Sequence, residues 1–135
     1  MKRNGFTISE ILVSTAIVIA LGLCAMVSCT DMLDFSKKSV AKNDVAVIAS
    51  AVNQYKFQME ALPSTLSDLT NASGSYGPWI DSDALIDPWG NNYIYVFNSA
   101  NNSFAVYSKG KNQTGESSIA SISGDDIGKV FGATP

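Results

Sequence analysis

The amino-acid sequence predicts an α+β fold in which one long N-terminal helix packs on a small antiparallel sheet. Helix-breaking residues are nearly absent from the first part of the chain. No proline precedes Pro63, and Gly22 is the only glycine in residues 6–61. Further along, residues 93–97 and 103–108 are β-branched and aromatic runs separated by a polar turn. That pattern is typical of an antiparallel hairpin.

The long helix divides into two halves of different character. The run from Ile11 to Thr30 contains 20 residues and no charge, so we assign residues 6–30 to a transmembrane half. At about 1.5 Å per residue, such a run is long enough to cross a bilayer core of roughly 30 Å. Residues 31–62 form an amphipathic half, whose apolar positions recur at alternating steps of four and three and should pack on the same chain. These positions are Ala41, Val45, Ile48, Val52, Tyr55, Met59 and Leu62. We expect Pro63 to end the helix.

Residues 63–135 are expected to form the globular region. The segment Asp87-Pro-Trp-Gly-Asn-Asn92 predicts a tight turn, because proline restricts φ and Gly-Asn tolerates left-handed backbone. We expect Trp89 to be buried beside this turn. The hairpin follows it, and a third short strand is expected near residues 130–131.

Composition excludes several classes of function. A chain of 135 residues, less a leader and a membrane segment, has room for one small domain. The net charge is −3, and removal of Lys2 and Arg3 with a leader makes it −5, which argues against nucleic-acid binding. Histidine is absent, so histidine-dependent catalysis and histidine-based zinc sites are excluded. Cys24 and Cys29 both lie in the apolar run, so the globular region has no disulfide, and no nucleophile motif indicates an enzyme.

The first ten residues carry the most specific motif. A basic leader, residues 1–5, ends at Gly5 and is followed by Phe-Thr-x-x-Glu and the apolar helix. A charge at the bilayer centre costs roughly 2.5–3.5 kcal/mol, so Glu10 calls for a partner. This pattern resembles the class III signal of type IV pilins and type II secretion pseudopilins. The resemblance implies cleavage between Gly5 and Phe6 by a prepilin peptidase, N-methylation of Phe6 and retention of the helix in the mature protein.

This N-terminus has two other interpretations. Lys2 and Arg3 also suit the cytoplasmic flank of an ordinary membrane anchor. The residues before Cys29 loosely resemble the cleavage site of a lipoprotein signal, although they lack its preferred leucine, and Glu10 is unusual inside a signal core. The pilin-type signal accounts for more of these residues than either alternative.

Two segments of the globular region make the resemblance more specific. Asp87 to Tyr93 reads DPWGNNY, and Asp125 to Gly128 reads DDIG. Both segments resemble the major pseudopilin of type II secretion, the G subunit, and the order of elements agrees along essentially the whole chain. The resemblance implies a pilin-like fold and a structural subunit of a pseudopilus that drives protein secretion across the outer membrane. The alternative is a type IV pilin for adhesion, twitching motility or DNA uptake.

The family also implies partners and a location. The expected partners are copies of the same chain in a helical filament, the prepilin peptidase, minor pseudopilins and an inner-membrane assembly platform. The expected location is the bacterial inner membrane, with a single span and a periplasmic C-terminal domain. Glu10 is expected to pair with the amino terminus of Phe6 on a neighbour. Relatives often have proline near the position of Val27, so without it we expect this helix to remain more continuous in the filament.

The resemblance further implies a calcium ion in the loop after the second strand. Carried over residue by residue, its ligands are the side chains of Asn112, Asp125 and Asp126 and the carbonyls of Lys109 and Ile127. Asn112 replaces a charged aspartate, and Lys109 and Lys111 add positive charge, so binding should be weakened. Glu116 is a further candidate ligand. The alternative is a polar loop closed by hydrogen bonds alone.

Overall fold

A computed structural model describes residues 5–115 and 117–132, without the side chains of residues 24–31. Its elements confirm the predicted α+β class. They are one helix, two short 3₁₀ turns and three strands: α1 (Ile8–Met59), η1 (Leu66–Leu69), η2 (Ser82–Leu85), β1 (Ile94–Asn98), β2 (Ser103–Ser108) and β3 (Ile127–Phe131).

The chain separates into two compact units, one up to Ser36 and one from Lys37 onward. In the first unit, the described side chains of residues 6–23 are all exposed. Among the residues that the structure describes, no helix offers a stretch that is both long and apolar enough to cross a membrane. Lys2 and Arg3 lie outside the described residues, and the side chains of Cys24, Val27 and Cys29 are not described.

The second unit has its core where the periodicity of the helix predicts it. Val45, Ile48 and Val52 are buried in one cluster with Phe104 and Val106 of the central strand β2. Ala41 is also buried, and Tyr55 and Leu62 are partly buried. The apolar stripe of the amphipathic half therefore packs on the same chain, as its steps of four and three require.

The helix ends three residues earlier than the sequence suggests. It stops at Met59, not Leu62, because Glu60 takes a left-handed backbone conformation with φ of 58°. Left-handed backbone cannot continue a right-handed helix. Pro63, which was expected to end the helix, instead lies fully buried beyond this turn.

The sheet is antiparallel throughout, in the order β1-β2-β3. Each residue of β2 is buried, whereas β1 and β3 form the two edges. The third strand is longer than expected and starts at Ile127, which pairs with Ser108. Within β3, a Cβ on Gly128 would overlap Tyr107 and the carbonyl oxygen of Val106, so only glycine fits this register without a shift.

Candidate functional site

The N-terminus of α1 is closed by a hydrogen-bonded box between Thr7 and Glu10. The Oε2 atom of Glu10 accepts from the backbone N–H of Thr7 at 3.0 Å and from its hydroxyl at 3.0 Å. In return, the backbone N–H of Glu10 donates to Oγ1 of Thr7 at 3.3 Å. This is the capping box that Thr-x-x-Glu favours at a helix start. The Thr-x-x-Glu pattern is visible in the sequence. Sequence reasoning interpreted it only as part of the class III signal and did not predict the helix cap.

The predicted processing junction lies immediately before this box. Gly5 and Phe6 precede the first helical residue, Ile8, and the Phe6 side chain is 83% exposed. The large apolar side chains along the following turns are also exposed, at 54% or more for Ile11 through Leu23. A continuous apolar surface of this kind marks contact with a membrane or with other proteins.

The loop between β2 and β3 is organised around Asp125. Its Oδ2 atom accepts from the backbone N–H groups of Lys111 at 2.9 Å and Asn112 at 3.3 Å. Its Oδ1 atom lies 3.0 Å from Nζ of Lys38 on α1. The Lys38 ammonium, reinforced by the two amides, holds the pKa of the Asp125 carboxyl below its ordinary value. The structure therefore brings the two predicted ends of the loop together and adds a helix lysine that sequence reasoning missed.

The other predicted metal ligands are also engaged with protein groups. Oδ1 of Asn112 accepts from the backbone N–H of Thr114 at 2.9 Å. Oδ2 of Asp126 accepts from the backbone N–H of Ser117 at 2.7 Å. Lys109 directly follows β2 and Ile127 begins β3, so their backbones lie at the two ends of the loop.

In this structure the predicted side-chain donors serve hydrogen bonds and an ion pair. Calcium takes 6–8 oxygen ligands, whereas here the carboxylates point at amides and at an ammonium. In the part of the chain that the structure describes, no group of three His, Cys, Asp or Glu side chains is arranged to hold a metal ion. Glu116 lies outside the described residues.

The turn at Asp87 ties this loop to the sheet. Asp87 is 4% exposed, and its Oδ1 accepts from the backbone N–H groups of Trp89 at 3.0 Å and Asn91 at 2.8 Å. Its Oδ2 accepts from the hydroxyl of Ser108 at 2.5 Å, and the same hydroxyl oxygen accepts from the backbone N–H of Gly110 at 3.0 Å. A buried carboxylate thus connects the turn, the end of β2 and the start of the loop.

The outcome for Trp89 differs from the sequence expectation. Trp89 is half-buried, and Nζ of Lys37 lies 6.0 Å from the centre of its ring. The buried member of the DPWG segment is Asp87, because its carboxylate satisfies backbone amides that would otherwise lack partners. An aspartate at the first position of a turn is the signal that makes this role recognisable from sequence.

Comparison with known proteins identifies relatives of this chain among type II secretion proteins. The family described as "Type II secretion system (T2SS), protein G" matches residues 28–125. A protein of Pseudomonas aeruginosa named "Type II secretion system core protein G" is 34% identical over 122 residues, covering 81% of this chain and 84% of the relative. A protein of the same name from Xanthomonas campestris pv. campestris is 30% identical over 82 residues, covering 58% of this chain and 57% of the relative.

No solved structure matches this chain at a significant level. The family match covers the amphipathic half of the helix, the turn at Asp87, the hairpin and most of the following loop. It therefore rests on the same segments that form the packed unit. The chain belongs to the family of type II secretion system protein G.

Proposed function

We propose that this protein is a structural subunit of the pseudopilus of a type II secretion system. The observation that carries the proposal is an exposed apolar helix start, with one carboxylate inside it, in a chain of the protein G family. The family's role is structural, and the family match favours a secretion pseudopilus over the alternative of a type IV pilus. The proposed location is the cell envelope, with the globular unit on the periplasmic side.

We place the precursor in the inner membrane through residues 6–30 and its cleavage between Gly5 and Phe6. The support comes from the sequence: an uncharged run from Ile11 to Thr30 preceded by a basic leader. After cleavage and methylation, the amino group of Phe6 lies one residue before the capping box. Substituting Gly5 should block leader removal, and a mature-sized product from that variant would reject the assignment.

Assembly is proposed to transfer the helices from lipid to a common filament core. There, the Glu10 carboxylate of one subunit pairs with the amino group of Phe6 on its neighbour, which offsets the cost of burying either charge alone. Within one copy, the backbone N–H and the hydroxyl of Thr7 both donate to Oε2 of Glu10. Among the described residues, Oε1 has no hydrogen-bond donor, so this oxygen can receive an ammonium without breaking the cap.

The test must separate the pairing role of Glu10 from its capping role. Glu10→Gln keeps an acceptor oxygen for Thr7 but removes the negative charge. Thr7→Ala removes the side-chain part of the cap but keeps the charge. If pairing drives assembly, Glu10→Gln abolishes filaments seen by electron microscopy and Thr7→Ala retains them. Normal filaments from Glu10→Gln would reject the pairing.

Calcium is a separate proposal. Because Lys38 already supplies a positive charge to Asp125 at 3.0 Å, we propose that calcium binds this loop only when Lys38 is released. Lys38→Met keeps much of the side-chain length and removes the competing charge. Its melting temperature should respond to millimolar calcium, relative to chelator, more than that of the wild type. If neither protein responds, calcium should be dropped as a ligand.

A further inference from the structure

A groove of about 640 Å³ lies between α1 and the edge strand β3. Its apolar walls include Val45 and Ala49 on the helix and Phe131 on the strand. Its rim carries two exposed lysines, Lys42 from the helix and Lys129 from β3. We call this feature the basic groove.

The helix face that lines the basic groove carries Ala46, Ser50 and Asn53 and ends at an exposed aromatic side chain, Phe57. Positions 46, 50, 53 and 57 follow one another at steps of three and four, so they share one face of α1. The first three line the groove, and Phe57, at the end of the series, is 88% exposed. Aromatic side chains are enriched at protein–protein interfaces, so Phe57 extends the candidate contact surface along α1.

Among the residues that the structure describes, neither lysine of the rim has an acidic partner. In residues 5–115 and 117–132, no carboxylate lies within 4.0 Å of Nζ of Lys42 or Lys129. Nζ of Lys129 instead lies 5.6 Å from the ring centre of Phe131. The basic groove therefore suits an occupant that presents carboxylates next to apolar side chains.

The chain itself contains such a segment at the opposite edge of its sheet. Asp81 and Asp83, at the start of η2, are both exposed, and Ile86 just after it is 49% exposed. We call this feature the acidic turn. It is held beside β1, because the backbone N–H of Tyr93 donates to the carbonyl of Leu85 at 3.0 Å. Among the described residues, neither aspartate has a lysine or arginine within ion-pair distance.

The sheet order separates these two features within one molecule. The basic groove lies at β3 and the acidic turn at β1, with β2 between them. One chain therefore does not bring its own acidic turn to its own groove. Two different, complementary surfaces on one subunit make a head-to-tail contact, which generates rings or open helical filaments.

We propose that the basic groove of one subunit receives the acidic turn of the next subunit in the filament. This inference rests on the proposed function, since it needs copies of the chain to assemble. It adds a contact between globular units to the packing of the N-terminal helices. Complementary charge fixes which surface meets which, and therefore the polarity of the filament.

The first test is cysteine cross-linking in assembled filaments of the full-length chain. Ser50→Cys places a thiol in the wall of the groove, and Ser82→Cys places one in the acidic turn; both parent side chains are exposed serines. Two populations, each with one of these substitutions, are coexpressed and oxidised. We expect more covalent dimer from the mixture than from either variant alone, because the contact is head-to-tail.

The matched control pairs Ser82→Cys with Ser121→Cys, an exposed serine outside the groove lining. An equal yield of dimer from this control would overturn the proposal. So would cross-linking of the Ser50→Cys chain to a different protein instead of the Ser82→Cys chain, because the occupant would then not be a second copy. The native cysteines are present in every sample and cancel in the comparison.

The second test exchanges the charges. Lys42→Glu and Asp83→Lys should each lower the assembled fraction about fivefold, because each places like charges together, and their combination should restore it to within about twofold of wild type. Lys56→Glu and Glu60→Lys serve as charge-reversal controls, since neither residue lines the basic groove or belongs to the acidic turn. Tryptophan fluorescence verifies that each variant is folded.

The two levels of the hypothesis fail in different ways. Filaments that form normally from both single charge variants, and that give no cross-link, would overturn the groove contact and leave the pseudopilus assignment intact. A wild-type chain that forms no filament with its secretion apparatus would instead contradict the proposed function itself.

Discussion

Replacement of Asp87 by alanine should destabilise the globular unit more than any other single change of a polar side chain in the turn. The carboxylate is 4% exposed and accepts three hydrogen bonds, from the backbone N–H groups of Trp89 and Asn91 and from the hydroxyl of Ser108. Hydrogen bonds to charged groups contribute roughly 1.5–3 kcal/mol each, but the contributions are not additive.

The burial of each hydrogen-bond donor determines how much stabilising free energy the substitution removes. Trp89 and Asn91 are half-buried, so water can reach part of this turn after the substitution. Ser108 is fully buried, so its hydroxyl would be left without an acceptor. We therefore expect Asp87→Ala to lower the free energy of unfolding by about 3–4 kcal/mol. For a unit of this size that corresponds to a fall in melting temperature of roughly 15–25 °C.

The assay is thermal unfolding of the full-length chain in detergent, followed by tryptophan fluorescence. Trp79 and Trp89 are the only tryptophans and both lie in the globular unit, so the signal reports that unit. Asp83→Ala, an exposed aspartate, is the matched control and should change the free energy of unfolding by less than about 0.5 kcal/mol.

The network also makes a coupling prediction. Ser108→Ala removes the same hydrogen bond from the other side, so the double variant with Asp87→Ala should be less destabilised than the sum of the two single variants. Equal melting temperatures for the Asp87→Ala and Asp83→Ala proteins would refute the reasoning, because the buried carboxylate would then contribute nothing to the stability of the fold.

Three further predictions follow from packing, protonation and the loop. Gly128→Ala should cost about 2–3 kcal/mol, since its Cβ would overlap β2, whereas Gly90→Ala, with open space but a φ of +88°, should cost about 1 kcal/mol; equal melting points would contradict this. Burial, and then a hydrogen bond to a helix carboxylate, raise the pKa of Tyr93 above its ordinary 10.0. Its contribution to stability is therefore fully present below pH 10 and declines as the pH rises from 10 through the raised pKa of the folded state. Tyr93→Phe should flatten this alkaline loss of stability measured by fluorescence, and an unchanged pH profile would exclude this role. Lys38→Met, without calcium, should cost only about 0.3–1 kcal/mol in denaturant titration because its ion pair with Asp125 is partly exposed, and a loss of several kcal/mol would show that the pair is stronger than an ordinary surface contact.

Some features of the fold could be predicted from the sequence because they depend only on residues that are close together in the chain. The apolar steps from Ala41 to Val52 predicted the buried face of α1, and the runs at residues 93–97 and 103–108 predicted the hairpin to within one residue. The helix end differs from the prediction because Pro63 is not the terminator. The chain leaves the helix earlier, at Glu60, where neither glycine nor proline signals the change.

The candidate site was readable only in part. The sequence brought Asn112 and Asp125 into one predicted loop, and the structure joins them through the Asp125 carboxylate. It did not predict Lys38, because this residue lies on α1, far from the loop in sequence. An ion pair between distant segments depends on how the helix is rotated against the sheet, and local periodicity does not encode that contact.

The sequence alone determined the class of the fold, the amphipathic helix and the family resemblance, since all three rest on spacing and local motifs. Only the tertiary structure decided which polar groups meet: Asp87 with Ser108, and Lys38 with Asp125. It also decided that the acidic turn and the basic groove lie at opposite edges of the sheet. The physical reason is that strand order and the orientation of the helix bring distant residues together or hold them apart, and neither is a property of any short stretch of the chain.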